Sequence, residues 1–172
     1  FVFMSYAIFF SYLRPFLENT TKASGNTLSL ILLVFGIANF FGATFSRHPL
    51  QWNIYRSLTL AAFFMGFAVL GLMLFGHLMI VTTILMALWG MFFGIVQVGW
   101  IDWLTRTIPD EAESAGGVQT GVIQLAITIG ASAGGVTIDV SGTSGVFILS
   151  AFCAFVAGFA AMFAFRKPVK KE

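Results

Sequence analysis

The hardest constraint on this chain is the arrangement of its apolar residues. They fall into six stretches, at about 1–17, 26–46, 57–75, 78–104, 115–140 and 146–165, and a polar or turn-forming break stops each one. Arg14-Pro15 and the run from Glu18 to Lys22 close the first stretch. Arg47-His48-Pro49 closes the second, and a polar link through Gln51, Asn53 and Arg56 leads to the third. Gly76-His77, the charged segment from Arg106 to Ser114, and Ser141-Gly142-Thr143-Ser144-Gly145 supply the remaining breaks. The stretches do not alternate strictly, as the strands of a membrane barrel would. Helices crossing a bilayer are therefore expected. Only helices satisfy every backbone polar group within a single segment when no water is at hand.

Composition agrees with that solvent. The 172 residues are 58% hydrophobic and 9% charged. A soluble domain carries roughly 25% charged residues. The 21 Phe suit a surface facing lipid, and the 18 Gly let helices approach closely. A net charge of +2 gives no reason to expect a nucleic-acid partner. The single cysteine, Cys153, lies inside an apolar run, so no disulfide framework is expected. The first stretch, as a helix, would rise about 26 Å, short of the roughly 30 Å hydrocarbon core. It has neither a basic leader before it nor a small-residue cleavage site after it, and is read as a spanning helix whose start is missing rather than as a signal peptide.

Lysine and arginine counts orient the spans. Arg47, Arg56, Arg106, Arg166, Lys167, Lys170 and Lys171 fall on one side of a six-span chain, against Arg14 and Lys22 on the other. The tail at 166–172 is therefore expected in the cytoplasm.

Polar groups inside spans are the first candidates for function. Arg14 can snorkel to the outer interface, pair with Glu18 four residues on, or line a cavity with Tyr6 and Phe10. Pro15 beside it frees backbone groups and permits a kink. Asp102 precedes Arg106 by four residues, the favoured order for a helical ion pair, and is alternatively a proton-coupling carboxylate. Arg14 and Asp102 belong to opposite ends and are not expected to pair. In the fifth span Gly117, Gly121, Gln124, Thr128, Ser132 and Gly135 share a small-and-polar face. Gly117 with Gly121, and Gly130 with Gly134, have the spacing of close helix contacts. Phe93, Gln97, Trp100 and Leu104 share a face of the fourth span, and Ser29, Gly36, Asn39 and Ala43 one of the second. These amides point either to a shared polar cavity or to separate interhelical bonds.

Other chemistry is poorly supported. Gly130-Ala131-Ser132-Ala133-Gly134 fits the nucleophile-elbow string but sits within a helix, where that motif does not work. His48 and His77 fall in breaks on opposite sides, so no metal site is expected. There is no phosphate-binding P-loop, and no cofactor is implied. Asp110 and Glu113 have capping-box spacing at a helix start.

Several strings resemble one family. Tyr12-Leu13-Arg14-Pro15 is similar to the seventh-helix signature of the drug:proton antiporter branch of the major facilitator superfamily. Gly99-Trp100 with Trp103-Leu104-Thr105-Arg106 resembles the end of its tenth helix. The run from Glu111 to Gly116, then Gln119, Val122 to Ala126, Gly130 and Gly134-Gly135, resembles its eleventh. Asp102 departs from the pattern, where a small neutral polar residue is more usual. The resemblance implies an all-α membrane protein of six transmembrane helices, the C-terminal half of a twelve-helix fold with solute bound between the halves. It further implies a non-enzymatic exporter of a small organic solute, nucleoside or drug-like, driven by protons and seated in the bacterial inner membrane, with a missing N-terminal six-helix half as partner. Tyr6, Phe10, Phe93 and Trp100 would offer aromatic surface, and Arg14, Asn39, Gln97, Gln124 and Thr128 polar contacts. The first and fourth spans would line the cavity, the second and fifth would meet the other half, and the third and sixth would face lipid. A complete six-span protein working as a homodimeric transporter or channel, and a membrane sensor that moves no solute, remain alternatives.

Overall fold

A computed structural model describes residues 1–164, all of whose regular elements are helical. The basic tail at 166–172 lies outside the described residues. The elements are α1 (Val2–Ser11), α2 (Leu13–Asn19), α3 (Gly25–Phe45), α4 (Arg47–Phe75), α5 (Met79–Thr107), a 3-10 turn (Pro109–Glu111) and α6 (Ala112–Ala164). Four stretches are long and apolar enough to cross a bilayer: Gly25–Phe45, Arg47–Phe75, Met79–Thr107 and Pro109–Phe163.

The breaks have local causes. Pro15 lacks an N–H, and its ring crowds the carbonyl four residues back. The first span accordingly breaks at Tyr12 (φ −112°, ψ 8°), separating α1 from α2. Ser24 caps α3 by accepting from the Thr27 amide. The link expected between the second and third spans is largely helical. Residues 47–52 form a short helical piece, Asn53 is extended (φ −162°, ψ 101°), and its Oδ1 accepts from the Arg56 amide at 2.9 Å to restart the helix. The third span thus begins ten residues before the expected boundary at 57, because side-chain oxygens satisfy the backbone at the interruption. The capping box expected at Asp110 and Glu113 does not form. The chain enters α6 through the 3-10 turn, and neither the Asp110 nor the Glu113 side chain accepts from a backbone amide among the described residues.

The five-residue turn expected at 141–145 contracts to one residue. Gly142 (φ 64°, ψ −166°) is the sole non-helical residue within α6. Before it α6 runs in the same sense as the first span, with Gly130 against Met4 and Gly134 against Tyr12. After it the chain runs the opposite way, with Phe147 against Phe16 and Ser150 against Ser5. α6 is therefore two passes, called here its leading and trailing arms.

The helices pack as α1 on both arms of α6, α3 on α5, and α4 between α5 and the trailing arm. The core centres on Ile8, Phe9, Leu13, Leu17, Met65, Val69, Leu72, Met86, Trp89 and Phe147. Large apolar side chains also cover the outside, among them Leu30, Phe40 and Phe45 on α3, Phe67 and Leu74 on α4, and Phe152 and Phe163 on the trailing arm. α3 is the least covered of the long helices. The Thr21 and Thr82 hydroxyls both donate to the Gly76 carbonyl, at 2.7 and 3.1 Å, which ties the first and third links together at one end.

One buried polar contact crosses the bundle. The hydroxyls of Ser5 and Ser150 lie 3.0 Å apart, and each donates to the other residue's carbonyl, at 2.8 and 2.9 Å. Each serine can lose its partner hydroxyl and keep a backbone acceptor. Ser5→Ala is therefore expected to lower stability by only about 0.6 kcal/mol, the average for such bonds between membrane helices. Thermal unfolding in detergent reads the shift; a loss above about 2 kcal/mol would mean that the site cannot repack around the missing oxygen.

Candidate functional site

The centre of the bundle is an aromatic stack carried by α1 and α5. Tyr6 and Phe93 lie parallel, centroids 4.4 Å apart and planes 5° apart. Phe10 stacks on Tyr6 at 5.4 Å. Trp89 lies beside both Phe93 and Tyr6, at 5.3 and 6.0 Å, with planes within 23°. Helical spacing explains the set: Tyr6 and Phe10, like Trp89 and Phe93, are four residues apart and share a face. Phe93 and Trp89 are buried, Tyr6 is half-buried, and Phe10 is 37% exposed, so the stack emerges at the surface through Phe10. The Trp89 indole N–H is buried without a hydrogen-bond partner among the described residues. Trp89, with Phe35 and Phe9 against it, and Phe3 edge-on to Phe93, were left unmarked by the sequence. The spacing Trp89–Phe93 was the signal that could have found Trp89.

The polar residues separate into different environments. Arg14 lies beyond the break at Tyr12, with its side chain 75% exposed, and its Nε meets Glu18 Oε1 at 2.8 Å. It does not join Tyr6 and Phe10 in one cavity, because the break interrupts the face that a continuous helix would have given them. Asp102 meets Arg106 through two contacts, Nε to Oδ1 at 2.8 Å and Nη2 to Oδ2 at 2.7 Å. Arg14 and Asp102 do not pair. Asn39 makes a private bond between helices, Nδ2 donating to the Gly90 carbonyl at 3.2 Å. Gln97 and Gln124 are exposed, and their side chains have no hydrogen-bond partner among the described residues. Thr128 is exposed and bonds back to the Gln124 carbonyl. The face expected on the fourth span divides: Phe93 and Leu104 are buried, whereas Gln97 is open.

The glycines divide too. A Cβ on Gly130 would lie 2.7 Å from the Met4 carbonyl oxygen, on Gly134 2.6 Å from the Tyr12 ring, and on Gly135 3.1 Å from the Tyr12 hydroxyl. Tyr12 fills this small-residue groove, and its hydroxyl donates to the Ala131 carbonyl at 3.3 Å. Gly117 and Gly121 have nothing within 4 Å. Their expected packing is not made within the described residues.

Two cavities accompany the stack. One of about 490 Å³ is almost wholly apolar and lies among α1, α4, α5 and both arms of α6, with Trp100, Trp103, Phe3 and Gln119 in its wall. Trp100 and Trp103 meet edge to face at 5.6 Å. A smaller one of about 330 Å³ lies where α4 begins and α5 ends, lined by Ser46, Arg47, Gln51, Asp102 and Arg106. Neither includes Tyr6, Phe10, Gln97 or Gln124. Among the described residues no group of three or more His, Cys, Asp or Glu could hold a metal ion.

A helical bundle of this kind, with an aromatic stack between its first and fourth passes, invites comparison with transport proteins. The sequence model of the Major Facilitator Superfamily matches residues 1–172. The chain belongs to the Major Facilitator Superfamily. Among curated relatives, the purine ribonucleoside efflux pump NepI of Escherichia coli O6:H1 is 40% identical over 152 residues, covering 87% of this chain and 38% of that pump. The pump of the same name from Salmonella paratyphi B is 40% identical over 141 residues, covering 80% of this chain and 36% of that pump. The chain thus spans well under half the length of the superfamily members that it matches. No solved structure matches it. Membership accounts for a chain so apolar on its outside: it is a multi-pass membrane protein of a transporter family.

Proposed function

We propose that this chain is the C-terminal six-helix half of a proton-driven exporter of nucleosides or similar planar solutes, working by alternating access. The observation that carries this reading is the stack of Phe10, Tyr6 and Phe93, which joins α1 to α5 and ends at an exposed ring. Parallel aromatic faces suit a planar base, and offset stacking between such rings contributes about 0.5–1.5 kcal/mol beyond buried area. The names of the relatives point to the same solute class. The exposed amides of Gln97 and Gln124 support a wet cleft facing a second half, since an amide held in hydrocarbon without a partner is costly. Gly117, Gly121 and the uncovered side of α3 would meet that half. Gly130, Gly134 and Gly135 pack within this one. Trp100 would lie toward the inner end of the pathway. Asn39 would act by fixing α3 on α5, and Arg14 with Glu18 by holding the outer turn. Asp102, paired with Arg106, would titrate only if that pair opened. In this reading the six spans cover 1–165, the tail is cytoplasmic, and the membrane is the bacterial inner membrane.

The test is export of purine ribonucleosides from cells with and without the intact gene, at two external pH values. Gene-dependent export that rises with external acidity is the expected result. Gene-dependent export without any pH response would remove the proton, and none at all would remove the solute class. In the full-length protein Gln124→Ala is expected to lower transport about three- to tenfold, the loss of one neutral hydrogen bond, with membrane levels intact. Unchanged transport would take Gln124 out of the pathway.

A further inference from the structure

We propose that the cleft between the start of α4 and the end of α5 binds the phosphate of an acidic phospholipid headgroup. The cleft holds about 330 Å³ and is lined by Ser46, Arg47, Leu50, Gln51, Val98, Asp102 and Arg106. Its charges do not cancel. Asp102 is neutralised by Arg106 through two short contacts. Arg47 has no ion-pair or hydrogen-bond partner among the described residues and is exposed. Gln51 likewise keeps its amide free. The Ser46 hydroxyl is already committed to the Ala43 carbonyl at 2.7 Å. The free donors are therefore a guanidinium and an amide, with further N–H groups on Arg106. Forked N–H donors of this kind match phosphate oxygens.

The surroundings favour a lipid over a soluble anion. Residues 47–52 form a short helical piece set off by the extended Asn53. That piece ends in Trp52, which is 94% exposed. Tryptophan concentrates where the bilayer meets water, so the cleft sits at headgroup depth. Phe45 and Ile101, each next in sequence to a cleft residue, are 61% and 62% exposed and offer apolar surface for an acyl chain. A basic pocket between membrane helices with apolar surface beside it has the make-up of an acidic-lipid site. The site does not depend on the transported solute or on proton coupling.

The test uses the full-length protein in bilayers of phosphatidylcholine with or without phosphatidylglycerol, reading retained lipid by native mass spectrometry and the unfolding temperature. Phosphatidylglycerol should be retained over phosphatidylcholine and should raise the unfolding temperature. Arg47→Gln should lower its retention about fivefold. Arg56→Gln, at an exposed arginine outside the cleft, should leave retention unchanged. Circular dichroism of the Arg47→Gln protein controls for folding. Equal retention of the two lipids, or undiminished phosphatidylglycerol in folded Arg47→Gln protein, would overturn the proposal. So would stabilisation by inorganic phosphate alone that phosphatidylglycerol does not add to, since the cleft would then serve a soluble anion.

Discussion

Replacing Gly142 by valine is expected to remove most of the folded protein from the membrane. The residue turns α6 back on itself with φ 64° and ψ −166°. That combination lies outside the small left-handed region that asparagine tolerates and is essentially open to glycine alone. Space is not the issue, because nothing lies within 4 Å of where a Cβ would stand. The penalty is conformational: about 1–3 kcal/mol for an ordinary residue held there, and more for a β-branched one. Relief by straightening is closed off. An unbroken helix of 53 residues would be about 80 Å long, against roughly 30 Å of hydrocarbon. The trailing arm would leave α1 and α4, and with it Phe147 and Ser150 would leave their partners. Membrane-inserted, monodisperse protein should fall at least fivefold for Gly142→Val, and Gly142→Asn should not rescue it. Wild-type yield and unfolding temperature in both variants would show that the reversal is made some other way.

A second large effect is expected at the contact of α3 with α5. A Cβ on Gly94 would overlap the Asn39 carbonyl and lie 2.7 Å from the Ala43 amide nitrogen. On Gly90 it would lie 2.7 Å from the Phe35 carbonyl oxygen, and on Gly42 it would overlap the Met91 carbonyl. These obstacles are main chain, so no rotamer change removes them. Gly94→Leu must push the helices apart, which forfeits the Asn39–Gly90 bond and the packing of Phe35 on Trp89. Overpacking costs about 1–3 kcal/mol where side chains can yield and more where they cannot, so a loss above about 3 kcal/mol is expected. Gly121→Leu is the matched control, because that glycine has nothing within 4 Å. It should leave the unfolding temperature of this bundle unchanged and, under the function proposed above, reduce transport by the full-length protein through the contact with a second half. Equal destabilisation by both substitutions would refute the assignment of Gly94 to an internal seam and of Gly121 to an outer face.

Much of the architecture was legible along the chain because its causes are local. Long apolar runs dictate helices wherever backbone groups cannot reach water, and Pro15 ends α1 through the hydrogen bond it cannot make. Spacing of four on a helix offered the ion pairs Arg14–Glu18 and Asp102–Arg106 among the alternatives for these residues, and the structure forms both. Where the reading erred, the interruption was shorter than its composition suggested. Asn53 supplies a cap and Gly142 a reversal, each within one residue, although both sit among several polar or turn-forming neighbours.

The sequence by itself determined the solvent, the helical state and the family. It also marked Tyr6, Phe10 and Phe93 as aromatic candidates. Only the tertiary structure decided which faces meet. It drew Ser5 to Ser150 across 145 residues, buried Trp89 among four rings, spent Gly42, Gly90 and Gly94 on the α3–α5 seam, and left Gly117, Gly121, Gln97 and Gln124 on the outside. The physical reason is that a bilayer is as apolar as the side chains it surrounds. Burial in protein and burial in lipid then look alike along the chain, and only the packing of small residues against facing main chain and rings tells one side of a helix from the other.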